Sequence, residues 1–241
     1  MSRTAIIIPT YNHLEDCLRP CIDSIVCNTD LNDVNGARVI VVANGCTDGT
    51  HEYLTELSRN NKWLTSVLMP DQMGFTKAAN IGLNVAMRFD DVDKIVLLNN
   101  DVTLMGQPKN AWIEILRSGF INSNVAATGV IIKNDEATLL PFLIFFCVMI
   151  DRSALDAIGL LDEAFSPGFG EDIDFCTRAL RAGYEIVQVP IGQELGHDGH
   201  QYVCSFPIYH AGTTTFSHEI TYNEVVKRNI QRLFDKHINN K

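Results

Sequence analysis

The chain has 241 residues, a formal net charge of −10 and 46% hydrophobic side chains. That is ample material for a core, which excludes extended disorder. The acidic balance excludes a general nucleic-acid binder, which needs a basic stripe, and docking on anionic lipid by charge alone. Seven cysteines, scattered and without a Cys-x-x-Cys pair, fit free thiols in a reducing, cytoplasmic setting better than disulfides or a zinc site.

The β-branched run at 5–8 predicts a first strand; Pro9 closes it, and it is too short for a signal segment. Leu14, Leu18, Ile22 and Ile25 predict a helix over 14–26, weakened around Pro20. Strands are then predicted at 38–43, 64–69 and 94–98, and helices at 50–59 and 76–88. This alternation implies βαβ units and a mostly parallel sheet. Right-handed crossovers bring all four strand tips to one edge.

After Asp101 the rhythm changes. A helix is predicted at 112–120, longer antiparallel strands at 125–132 and 139–150, and a short helix at 153–158. The helix at 172–182 ends at Gly183, a C-terminal glycine signal, and a strand at 184–189 stops at Pro190. Residues 197–215 read as a loop. Residues 218–238 read as an amphipathic helix with Tyr222, Val226, Ile230, Leu233 and His237 on one stripe. The longest apolar stretch, 139–150, contains Pro141 and is too short to span a bilayer, so no transmembrane segment is expected. No repeat or linker divides the chain, and residues 1–241 are expected to form one domain.

Three acidic or amide-rich segments, Asn44-Gly45-Cys46-Thr47-Asp48, Asn99-Asn100-Asp101 and Glu171-Asp172-Ile173-Asp174, follow apolar runs or a glycine-rich turn, where ligands bind in open α/β sheets. In Pro9-Thr10-Tyr11-Asn12, an aromatic at a strand tip can stack on a nucleobase. In Asn99-Asn100-Asp101, Asp101 can ligate Mg2+ or Mn2+, with Asn99 on the same side of an extended segment. Gly168-Phe169-Gly170-Glu171-Asp172-Ile173-Asp174 runs into a helix, and Asp172 or Glu171 can serve as a general base. Asp174 and Arg178 have the spacing of a structural ion pair. Of the late histidines His197, His200 and His210, His197 is the preferred metal ligand. His-x-x-His at 197 and 200 has no clustered partners for zinc.

Taken in order, several stretches resemble the inverting family 2 glycosyltransferases. They are Ile6-Ile7-Ile8-Pro9-Thr10-Tyr11-Asn12, Val41-Val42-Ala43-Asn44-Gly45-Cys46-Thr47-Asp48-Gly49-Thr50, and Gly74-Phe75-Thr76-Lys77-Ala78-Ala79-Asn80-Ile81-Gly82-Leu83. Leu97-Leu98-Asn99-Asn100-Asp101, Ile158-Gly159-Leu160-Leu161-Asp162-Glu163, Glu171-Asp172-Ile173-Asp174 with Arg178 and Ala182-Gly183-Tyr184, and Arg228-Asn229 complete the set. The rhamnosyltransferase-like branch is the most similar.

The resemblance implies the GT-A fold, a Rossmann-like three-layer α/β/α domain with a mostly parallel central sheet and a small antiparallel acceptor-side extension. Residues 1–104 would be the nucleotide-sugar-binding half, 105–216 the acceptor-binding and catalytic half, and 217–241 a C-terminal helix. It implies transfer of one sugar from a nucleotide-diphosphate sugar to a glycan or other hydroxyl acceptor, with inversion and Mn2+ or Mg2+. Pro9, Thr10, Tyr11, Asn44, Gly74, Lys77, Asn80, Asn99 and Asn100 would bind the donor. Asp101 and His197 would hold the metal, Asp172 would be the base, and Glu171 would stand next in line.

Two positions depart from the family pattern. Ala43 replaces an acid that often reads the nucleobase, with Asn44 as a substitute, and Asn99 takes the first acid position of the D-x-D motif. The Q-x-x-R-W signature of processive synthases is absent around Trp63 and Trp112, which favours single transfer. A sugar-1-phosphate nucleotidyltransferase would need a basic glycine-rich loop after the first strand, and a non-catalytic binding module finds support only in Ala43.

Overall fold

The computed structural model describes residues 2–31, 36–136, 138–189, 196–197, 202–203, 206–212 and 219–239. The first half contains β1 (Arg3–Thr10), α1 (Arg19–Asn28), β2 (Arg38–Asn44), α2 (Thr50–Asn60), β3 (Leu64–Met69), α3 (Phe75–Ala86) and β4 (Val92–Leu98). Next come β5 (Val102–Leu104), α4 (Ala111–Ser118), β6 (Val125–Gly129), β7 (Ile132–Asn134), β8 (Pro141–Leu143), β9 (Cys147–Asp151), α5 (Arg152–Ile158) and α6 (Glu171–Arg181). The last elements are β10 (Glu185–Gln188), β11 (Gly196–His197), β12 (Tyr202–Val203), β13 (Ile208–His210) and α7 (Glu219–Phe234).

Seven strands form the central sheet in the order β10-β6-β9-β4-β1-β2-β3. All its pairings are parallel except those of β9, which runs antiparallel to both β4 and β6. The sheet is covered on both faces, which is why its strands are continuously apolar. Along β1, Ile6 and Ile8 pack with Val39 and Val41 on one side. Ala5 and Ile7 pack with Ile40, Val42 and the apolar face of α3 on the other.

The structure revises several expectations. Pro20 sits in the first turn of α1, where its missing N–H costs nothing, and a π-helical turn, Leu14–Leu18, precedes it. The run 139–150 is divided between two sheets. Its first part, β8, pairs with β7, and its second, β9, enters the central sheet. The expected strand at 125–132 divides the same way into β6 and the start of β7. Within 197–215, expected to be a loop, β12 and β13 join β11 and β5 in a four-stranded antiparallel sheet.

The buried stripe of α7 keeps Leu233 and His237 but is displaced by one position before them. Val225, Asn229 and Leu233 face inward, followed by His237 in the π-turn beyond, while Ile230 is exposed. The side chain of Tyr222 lies outside the described residues.

Helix α3 lies close against β1 and β2 because Gly82 has no side chain. A β-carbon there would overlap the Ile7 side chain and touch that of Val42. Gly82→Val is expected to destabilise the protein by about 1–3 kcal/mol through overpacking. A lower urea midpoint at unchanged slope is the result to look for.

Candidate active site

The tip of β4 is pinned from three directions. The Asn99 N–H donates to the Phe146 carbonyl at 2.9 Å. The Asn100 amide donates to Thr10 Oγ1 at 2.9 Å, tying β4 to β1. Beyond the turn, β5 pairs antiparallel with β13 in a register that sets Val102 opposite His210. The residue before β5 therefore meets the end of β13. Asp101 Oδ1 lies 3.2 Å from His210 Nε2, with the two residues 9% and 8% exposed. The imidazole stacks on Phe146 at 4.4 Å and 8°, and the Asn99 amide is 3.5 Å from the same Nε2.

The histidine that the fold brings to Asp101 is thus His210. His197, preferred from the sequence, has its backbone on β11, separated from β5 by β12 and β13. Its side chain lies outside the described residues, as does all of His200.

The loops after β1 and β2 are stitched together. Asn12 accepts from the Thr47 N–H at 2.8 Å, and its own N–H points to Cys46 Sγ at 3.2 Å. Asp48 accepts from the Leu14 N–H at 2.9 Å and from the Thr50 hydroxyl at 2.6 Å. Burial pushes the Asp48 carboxyl up, but the hydrogen bonds from Thr50 and Leu14 outweigh it and hold it below the usual carboxylate range. Asp48 is therefore a structural acid.

Asn44 accepts from the Met73 N–H at 2.8 Å, joining the β2 tip to the segment before α3. Tyr11 is half-buried beside these loops, and Lys77 is half-buried in the first turn of α3. Gly74 lies under Pro167, whose Cα leaves no room for a β-carbon.

Asn80 has a different task from the donor contact expected of it. It is 3% exposed. Its amide donates to the Leu161 carbonyl and to Glu163, and its oxygen accepts from the Leu161 N–H. These bonds fasten α3 to the segment leading towards the acids of α6.

Those acids stand in the first turn of α6, after Gly170 at φ 91°. Glu171 is 6% exposed, and its Oε2 is buried without a hydrogen-bond partner among the described residues. Burial, reinforced by the charge of Asp172, pushes its carboxyl up to about 8. Asp172 is less enclosed and accepts from the Ile173 N–H at 2.8 Å. Burial raises it to about 6, against the pull of backbone N–H groups, with Asp135 of the β7–β8 turn nearby. Both carboxyls are thus pushed upward, the more enclosed Glu171 further than Asp172, so the pair holds a proton closer to neutral pH than free carboxylates do.

Asp174, one turn in, is fully buried and neutralised. It accepts from Arg178 Nε at 2.8 Å, the expected i,i+4 pair, and from Lys236 Nζ at 2.6 Å and His237 Nε2 at 2.8 Å. Arg181 Nη1, which can only donate, lies 3.0 Å from His237 Nδ1. Nδ1 therefore accepts, and the imidazole proton sits on Nε2, facing Asp174. Lys236 and His237 were not foreseen, because they come from a helix more than sixty residues away. Phe145 and Phe146 are core residues at 4% and 3% exposure.

Comparison with known proteins agrees with this architecture. Residues 5–107 match the family model Glycosyl transferase family 2. No curated protein sequence matches the chain. Among solved structures it is similar to the mannosyltransferase PcManGT from Pyrobaculum calidifontis, in complex with GDP-Man and Mn2+. The TM-score is 0.62 at 18% identity, over 78% of this chain and 54% of that one. It is also similar to GalNAc-T7 with UDP, GalNAc and Mn2+, with a TM-score of 0.66 at 13% identity, over 79% of this chain and 43% of that one. The chain spans about half the length of these structures. Its fold, a mostly parallel central sheet with small antiparallel sheets beside it, is the GT-A fold. Among the described residues, no helix is long and apolar enough to cross a membrane.

The buried proton of Glu171 has a consequence for stability. Unfolded, the group ionises near its ordinary value of 4.5; folded, it keeps its proton until about 8. Between those values the folded state binds more protons than the unfolded one, so stability is present below the window and falls as pH rises through it. Glu171→Gln is expected to flatten that decline in denaturant midpoints measured from pH 4.5 to 8.

Proposed function

We propose that the protein is a glycosyltransferase that moves one sugar from a nucleotide-diphosphate sugar to an acceptor hydroxyl, with inversion, metal assistance and no processivity. The observation that carries this reading is the meeting of Asp101 and His210 at the tip of β4. A carboxylate oxygen and an imidazole nitrogen 3.2 Å apart suit a divalent cation that completes its shell with water and phosphate oxygens. Bound there, Mn2+ or Mg2+ would stabilise negative charge on the departing diphosphate. The family match to residues 5–107 and the sugar nucleotides and Mn2+ of the two structural neighbours support the same reading. The ordered sequence motifs support the rhamnosyltransferase-like branch.

The chain's own groups take the remaining roles. Tyr11 stacks on the nucleobase, with the backbone of Pro9 and Thr10 beside it. Lys77 pairs with a phosphate oxygen near the positive end of α3. Asp172, ionised at neutral pH, takes the proton of the acceptor hydroxyl as its oxygen attacks the anomeric carbon and the bond to the diphosphate breaks on the opposite side. Glu171, still protonated, leaves Asp172 as the stronger acceptor of that proton.

Asp172→Asn is expected to lower turnover by roughly 10²–10⁴-fold with donor affinity unchanged. Nucleoside diphosphate release from UDP-glucose, GDP-mannose and dTDP-rhamnose would be followed; full activity in this variant would assign the base to Glu171. Asp101→Ala and His210→Ala are expected to abolish the Mn2+ dependence of UDP or GDP binding in calorimetric titrations. Affinities equal to wild type with Mn2+ present would refute the ligand roles.

A further inference from the structure

The turn that delivers Glu171 and Asp172 does not hold itself. Phe169 and Gly170 both lie at positive φ, 73° and 91°, and Phe169 carries a β-carbon that disfavours this region. Gly170, at the N-cap position of α6, offers no side chain to cap the helix. The Pro167 carbonyl accepts from the Phe75 N–H of α3 at 2.6 Å and that of Gly170 from the Asp174 N–H at 2.8 Å, but the other carbonyls of the turn are met by α7. Asn229, 1% exposed, directs its amide to the carbonyls of Phe165, Gly168 and Phe169 at 2.9, 2.9 and 2.8 Å. Its oxygen accepts from Arg228 Nε at 3.0 Å, and Arg228 Nη2 donates to the Ser166 carbonyl at 2.6 Å. Arg232 reaches the Ala164 carbonyl from the next turn.

The other inward positions of this stretch, Val225 and Leu233, are apolar. Packing α7 therefore requires no amide at position 229. The N–H groups of an amide buried there are satisfied by the turn it grips.

We propose that Asn229, supported by Arg228, is a positioning residue for the acid pair, fixing the backbone of 165–170 so that Glu171 stays enclosed and Asp172 stays accessible. The chemical consequence rests on the glycosyltransferase reading; the mechanical one does not. The groups that face the pair are Asp172 and Glu171 themselves, Asp174 and the Cys176 thiol on α6, and Asp135 from the β7–β8 turn.

Asn229→Asp is the discriminating variant. It keeps the size of the side chain and a partner for Arg228, but a carboxylate cannot donate to three carbonyls. Asn229→Ala removes packing as well, and Ile230→Ala, on the exposed face of the same helix, is the control. In Asn229→Asp, amide hydrogen exchange over 166–173 is expected to speed up at least about 10-fold while β1–β4 exchange as in wild type. The decline of stability between pH 4.5 and 8 should flatten as water reaches Glu171. Nucleoside diphosphate release from UDP-glucose, GDP-mannose and dTDP-rhamnose with Mn2+ should fall by about 10–100-fold in kcat with donor KM unchanged. Ile230→Ala should change none of these.

Wild-type exchange over 166–173 in Asn229→Asp overturns the inference. So does a fall in activity that merely tracks the melting temperature. If the wild-type protein releases no nucleoside diphosphate from any of the three donors, the glycosyltransferase reading fails, and the exchange and pH measurements still decide the positioning role. Should the Asp and Ala variants fail to fold, Arg228→Ala, which leaves Asn229 in place, must show the same accelerated exchange, and its absence overturns the inference.

Discussion

Carboxylates taken out of water must be neutralised, and the edge of this sheet neutralises its own in three different ways. Asp174 is enclosed by a guanidinium, an ammonium and an imidazole. Asp101 is set beside a histidine. Glu171 meets no cation among the described residues, and burial pushes its carboxyl up. Full compensation makes Asp174 a fixed joint between α6 and the end of the chain. Partial compensation leaves Asp101 with a neighbour that can share a cation rather than cancel its charge. Burial without such a partner raises the Glu171 carboxyl further than that of Asp172.

These differences follow from which elements surround each acid. Phe146 illustrates how few residues set the geometry. Its carbonyl receives the Asn99 N–H, and its ring supports His210. It lies just before β9, the one strand of the central sheet that runs against its neighbours. That reversal turns the end of β9 nearest Phe146 towards the C-terminal tip of β4, so the residues leading into it can brace the site.

The strands and helices of the first half were legible in the sequence because each buried element carries its own period. The polar tips of β2 and β4 and the acids opening α6 could be read for the same reason, since each ends an apolar run or follows a glycine turn. The partner of Asp101 could not be read. His210 sits on a three-residue strand whose place is decided by pairing with β5, and a strand that short has no period of its own. The displaced stripe of α7 has a related cause. Ile230 was expected on the buried stripe and Asn229 was not, and the order is inverted because the helix packs on a row of carbonyls as well as on apolar side chains. Asn80 and Asp48 fell into motifs with ligand-binding associations, yet their bonds go to backbone and side chains of this same chain.

The grip of α7 on the turn before α6 also sets an order of events during synthesis. Parallel pairing of β1, β2 and β4 uses residues made early, and that framework can form while the ribosome is still at work. The carbonyls of Phe165, Gly168 and Phe169 wait for a side chain some sixty positions downstream. A nascent chain can therefore hold a finished sheet edge before its two neighbouring acids have a settled place, and the emergence of residue 229 is the step that locks them.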